Sequence, residues 1–151
     1  MKVLIAVDNS ECAEKAFDWY FEKIHKPGNE IVVGHSDESA KIPSHVFLAG
    51  EVAYHIDVLN AEAAKLKKKR QDLSHKYKTK IEKYTDINYK LVFEVNDHYP
   101  GESIVKMAEE ENCDVIITGS RGLGAVRRTI LGSVSDYVLH HAKIPVLVCH
   151  K

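Results

Sequence analysis

The sequence predicts an α/β fold, a single domain with a five-stranded parallel sheet and helices on both faces. Three observations carry this expectation. Short apolar runs alternate with amphipathic helical stretches in the order β-α-β-α-β-α-β-α-β. The first run, Lys2-Val3-Leu4-Ile5-Ala6-Val7, has no polar alternation, as expected of a strand buried on both faces. The length of 151 residues suits one domain spanning residues 1–151 with a substantial core.

Each element has its own signal. Ser10 is placed to cap a helix in which Ala13, Ala16, Phe17, Tyr20 and Ile24 form one apolar stripe. Lys26-Pro27-Gly28-Asn29 stops it, and residues 30–35 form a second strand. Residues 36–50 lack periodicity and read as a loop. From about residue 52 to 84 a long helix is expected, with Val52, Ile56, Leu59, Ala63, Leu66, Leu73, Tyr77, Ile81 and Tyr84 along its seam. Arg70 takes the one seam position that is not apolar. The mean step is nearer about 3.5 than 3.6 residues, as in a coiled-coil seam. Such a helix reaches about 50 Å at ~1.5 Å per residue, longer than a small sheet is wide, so it either breaks or over-runs the sheet. Residues 88–95 form a third strand with Tyr89, Leu91, Phe93 and Val95 on one face. Pro100 opens a helix with Ile104, Val105 and Ala108 inward. Residues 114–118 are a fourth strand, and Val134, Tyr137, Val138 and His141 form the stripe of a last helix. Pro145 to Cys149 is a short closing strand.

Composition narrows the function. A formal net charge of -1 argues against a dedicated nucleic-acid binder or a polybasic membrane protein. No apolar run is long enough to span a bilayer, and the opening stretch is too short for a secretory signal. Three cysteines, with no C-x-x-C pair, suit free thiols in a reducing compartment, so a cytoplasmic protein is expected.

In parallel α/β sheets the ligand sits beyond the carboxyl ends of the strands, where strand order reverses. That rule selects Asp8 and Gly119. After Gly119 comes Ser120-Arg121-Gly122-Leu123-Gly124-Ala125-Val126-Arg127-Arg128-Thr129-Ile130-Leu131-Gly132-Ser133. Glycines permit close backbone approach, successive amides can form an anion-binding nest, and Gly132-Ser133 opens a helix whose free amides favour phosphate. Arg121, Arg127 and Arg128 add positive charge. The loop is not a P-loop, because no Gly-Lys-Ser/Thr closes it, and it is not a dinucleotide fingerprint, because the third glycine is missing.

The spacing Gly119-x2-Gly122-x9-Gly132-Ser133 resembles the signature of ATP-binding universal stress proteins. The likeness extends over nearly the whole chain. It takes in the strand ending at Asp8, the run from Asp114 to Gly122, Leu131-Gly-Ser-Val-Ser-Asp136 and the ending from His140 to Val148, in a form similar to plant members. The resemblance implies the flavodoxin-like, adenine-nucleotide-hydrolase-like strand order 3-2-1-4-5. It also implies an adenine nucleotide (ATP, ADP or AMP, with Mg²⁺) between the ends of strands one, two and four. Asp8 would lie near adenine or ribose. Gly119, Gly122, Gly132 and Ser133 would hold ribose and phosphates, and Val134 and Ser135 would continue the lining. Ser36 stands where the family usually has an apolar residue flanking adenine. The family also dimerises through the last strand, so a homodimer through residues 145–149, an exposed apolar edge, is expected.

Several features also have a plain structural reading. Asp8 can be a turn acid, Ser133 a helix cap, and the glycines the means to a tight loop. Lys65-Leu-Lys-Lys-Lys-Arg70 reads as a solvated helix face, Cys149 as a packing residue, and the nine histidines lack a zinc pattern. No nucleophile–base–orienter set is present, so slow or absent nucleotide hydrolysis is expected. The leading expectation is a nucleotide-binding protein whose bound state alters dimerisation or partner contacts. The alternatives are a slow ATP hydrolase on the same fold and a nucleotide-independent interaction protein using the helix over residues 52–84.

Overall fold

A computed structural model describes residues 1–38, 52–96, 99–121 and 131–150. The strands are β1 (Lys2–Ala6), β2 (Glu30–Glu38), β3 (Asn88–Asn96), β4 (Val115–Gly119) and β5 (Val146–Cys149). The helices are α1 (Glu11–Lys23), α2 (Val52–Ile81), α3 (Pro100–Glu110) and α4 (Ser133–His141). All four strand pairings are parallel, and the order is β3-β2-β1-β4-β5, as expected. Strand order therefore reverses at β1, between β2 and β4.

Alternation along β1 sorts the core into two layers. Val3, Ile5 and Val7 face one way and meet Phe17, Tyr20 and Phe21 of α1 and Leu73, Tyr77 and Ile81 of α2. Leu4 and Ala6 face the other way and meet Ile104, Met107 and Ala108 of α3 and Val138 of α4. Burial of such side chains, about 1.5–3 kcal/mol each, is the main stabilising term. Met107 joins the core alongside the expected α3 stripe. His141 does not join it: the residue is exposed and its ring stacks on Tyr137 at 3.8 Å, because α4 ends there.

One boundary differs from expectation, and the long helix takes one of its two expected forms. β2 continues through Ser36, Asp37 and Glu38, a polar stretch with no strand signature, because these residues pair with Glu94, Val95 and Asn96 of β3. The rest of the expected loop, to residue 50, lies outside the described residues. α2 is unbroken and over-runs the sheet. Its side chains from Ile56 to Lys65 are exposed, with Ile56 at 51%, whereas Leu73, Tyr77 and Ile81 are buried. Arg70 marks the change. Its Nε pairs with the buried Asp37 carboxylate, so the one cation in the seam has a partner on β2. It is therefore not part of a solvated basic face, although Lys67, Lys68 and Lys69 beside it are exposed.

Ion pairs fasten α2 to α1. Lys76 Nζ lies 2.7 Å from Glu14 Oε2, and Lys80 Nζ lies 2.8 Å from both Glu14 Oε1 and Asp18 Oδ1. Hydrogen bonds from Lys76 and Lys80 lower the Glu14 pKa from 4.5 to about 2. A depressed carboxyl contributes stability above its unfolded pKa and loses it as pH falls through the folded one. Glu14→Gln should therefore lower stability at neutral pH by up to about 1 kcal/mol, the range for a partly exposed pair. The difference from wild type in urea midpoints should close as pH falls from 4.5 towards about 2.

Gly119 has a purely steric role in this packing. A Cβ there would stand 2.5 Å from the Cys12 carbonyl carbon and 2.7 Å from the Ala13 amide nitrogen, both backbone atoms of α1. Neither can swing aside, so Gly119→Ala should lose about 1–3 kcal/mol in denaturant unfolding. An unchanged midpoint would contradict this close approach.

Candidate functional site

The crevice at the strand ends is built by the way each strand stops. Beyond Ala6, the Val7 amide still donates to the Gly34 carbonyl at 2.8 Å, but pairing between β1 and β2 ends with Ala6 opposite Gly34. A continued ladder would aim the Ser36 amide at the Val7 carbonyl. Instead the side chain of His35 takes that carbonyl, with Nδ1 at 2.7 Å. Ser36 follows Gly34 by two residues, so its amide and carbonyl turn to the same side, where β1 has already ended. Its hydroxyl oxygen is buried without a hydrogen-bond partner.

Asp8 begins the turn into α1. Its Oδ1 accepts from the Ser10 amide at 2.8 Å, and its carbonyl accepts from the Tyr77 hydroxyl at 3.2 Å. The Ser10 hydroxyl accepts from the Ala13 amide, capping α1, and lies 3.2 Å from the Arg121 carbonyl to which it donates. Burial and the nearby carboxylates of Asp8, Glu14 and Asp18 push the Tyr77 phenol well above its usual range, so it stays a neutral donor.

The β4 side closes on itself. The Ser120 amide donates to the Cys149 carbonyl at 2.8 Å, and the Gly132 amide donates back to the Ser120 carbonyl at 2.8 Å. The Ser135 hydroxyl lies within donating distance of the carbonyls of Ser120, at 3.1 Å, and Gly132, at 2.9 Å. The two ends of the glycine-rich loop are thus held together at the start of α4. Gly132, at the N-cap of α4, has no side chain to cap the first-turn amides that follow it. Gly132 has φ -69°, ordinary extended backbone, so its lack of a side chain is not demanded by conformation.

The structure thus brings Asp8, Ser10, Ser36, Ser120, Arg121, Gly132 and Ser133 to one end of the sheet around β1. Ser133 is exposed, Val134 half-buried and Ser135 buried. Gly119 is also at this end, turned to α1 by the close approach described above. Gly122, Arg127 and Arg128 lie outside the described residues. Sequence pattern alone does not mark His35, Asp37, Arg70 or Tyr77 as site residues. The signal for Arg70 is its place in an apolar seam; Tyr77 carries none, because a seam tyrosine reads as core.

Other sequence candidates find plain roles. Burial raises the thiol pKa of Cys113 to about 11 and raises that of Cys149. Among the described residues no helix is long and apolar enough to cross a membrane. An open depression of about 390 Å³ lies between α2 and Phe93, lined by Arg70, Gln71, Ser74, His75 and Lys78.

Comparison with known proteins agrees with this architecture. The model of the universal stress protein family matches residues 1–150. The chain is 29% identical over 150 residues to universal stress protein MJ0577 of Methanocaldococcus jannaschii, covering 97% of this chain and 93% of that one. The solved structure of MJ0577 superposes with a TM-score of 0.78 at 27% identity, covering 99% and 95% of the two chains. A universal stress protein family member of Arabidopsis thaliana, solved with AMP bound, has a TM-score of 0.66 at 21% identity, covering 100% of this chain and 92% of that one. The fold, the strand order and the family match over residues 1–150 agree, and the chain belongs to the universal stress protein family.

Proposed function

We propose that this protein binds an adenine nucleotide at the ends of β1, β2 and β4, and that nucleotide occupancy acts through dimerisation or partner contacts in a stress response. The observation that carries the reading is the start of α4, where Gly132 has no side chain to act as a cap, tied by the Gly132–Ser120 hydrogen bond to the end of β4 across from Asp8 and Ser36. Free amides at a helix N-terminus favour phosphate. The main chain of Ser36, which has no partner among the described residues on β1, offers one donor and one acceptor to the edge of a base, and its unpartnered hydroxyl offers a further polar contact. In this reading Asp8 faces the ribose or base, and Gly119, Arg121, Gly122, Gly132, Ser133, Val134 and Ser135 surround ribose and phosphates. The AMP complex of the Arabidopsis family member supports the ligand class. Mg²⁺ would accompany ATP through its phosphates. Hydrolysis is at most slow, because the Asp8 carboxylate is engaged by the Ser10 amide. A reducing, cytoplasmic setting fits the buried thiols.

Calorimetric titration of ATP and Mg²⁺ into ligand-stripped protein should show saturable binding. Gly132→Val, which places bulk where the phosphates approach, should weaken it at least about tenfold with an unchanged unfolding temperature. No binding by the wild type would overturn the nucleotide reading.

For the dimer, β5 is the edge strand, and its register tells which amides point outward. The Pro145 and Cys149 carbonyls bond to β4, so the main chains of Val146 and Val148 face away from the sheet. Val148→Pro removes an outward amide and no bond to β4. Light scattering should give a dimer mass for wild type and a monomer for the variant. A wild-type monomer at millimolar protein would overturn dimerisation through this edge.

A further inference from the structure

The way β1 and β2 part company depends on a charged chain that reaches from α2 to the end of β1. Arg70 on α2 pairs through Nε with Asp37 on β2. Asp37 is 6% exposed, and its other oxygen lies 3.2 Å from His35 Nε2. His35 Nδ1 in turn lies 2.7 Å from the Val7 carbonyl.

A backbone carbonyl only accepts, so Nδ1 is the donor to Val7, and Nε2 faces the Asp37 carboxylate that Arg70 holds from the other side. β3 contributes the Phe93 ring, edge-on at 6.0 Å.

We propose that His35, held by Asp37 and Arg70, is a positioning residue for the nucleotide site, keeping the Ser36 main chain unpaired by occupying the Val7 carbonyl. The inference rests on the nucleotide reading given above. Its physical content is a competition. The Val7 carbonyl can accept from the Ser36 amide, which closes the strands, or from the histidine ring, which leaves them parted. Without the ring the strand ends lose their wedge, and affinity for the base falls.

Calorimetric titration of ADP into wild type and variants at one fixed pH tests this in the full chain. His35→Phe should bind ADP roughly tenfold more weakly than wild type. His35→Gln, whose amide keeps a donor for the Val7 carbonyl, should recover affinity. Hydrogen exchange at the Ser36 amide gives a ligand-free readout: fast in wild type, slowed in His35→Phe as the amide pairs with Val7. Equal affinity in wild type and His35→Phe would overturn the positioning role and leave the nucleotide reading intact. No ADP binding by wild type would overturn the nucleotide reading, and the strand-parting inference would then be decided by exchange at Ser36, where unchanged protection overturns it.

Discussion

Everything in this molecule is arranged around one strand that has no free side. β1 is covered on both faces and bonded along both edges, so its backbone polar groups cannot reach water until the chain leaves the sheet. Unpaired buried amides and carbonyls are costly, so the exit of β1 has to be satisfied by other parts of the protein. The Val7 amide uses Gly34, the Val7 carbonyl uses His35, and the Asp8 carbonyl uses Tyr77. Two of these three partners are side chains, one from β2 and one from α2. The crevice exists because the ladder is replaced there by side chains and does not simply continue.

The β4 half of the crevice follows from a different constraint. β4 must pass the first turn of α1 at backbone contact, which Gly119 permits. The chain then has to return to start α4 on the opposite layer, and the Gly132–Ser120 hydrogen bond brings it back to where it left. The glycines of this region therefore answer to separate causes: close approach at Gly119, and an open helix start at Gly132, whose backbone angles any residue could adopt. A glycine signature in sequence does not separate these causes.

α2 connects the two edges of the argument. Its C-terminal half supplies Leu73, Tyr77 and Ile81 to the core and Lys76 and Lys80 to the acids of α1. Arg70 stands at the point where the helix leaves the sheet. Its cation gives the buried Asp37 carboxylate a partner. A single arginine thus joins the placement of a long helix to the geometry of the strand ends.

The sequence by itself determined the alternation of elements and the parallel sheet. Each of these follows from local periodicity and from the rule that crossover connections run one way. It also determined the glycine pattern that carries the family resemblance. Only the tertiary structure decided that β2 runs on through Ser36, Asp37 and Glu38, since polar residues join a strand when a neighbour pairs with them and a distant cation neutralises them. Only it decided that Asp8 is committed to a turn and that Gly119 answers to α1. His35, Asp37 and Arg70 are separated along the chain and interspersed with unremarkable residues, so no spacing announces them. They meet because β1 stops where β2 does not, and that difference in strand length is settled by packing across the sheet.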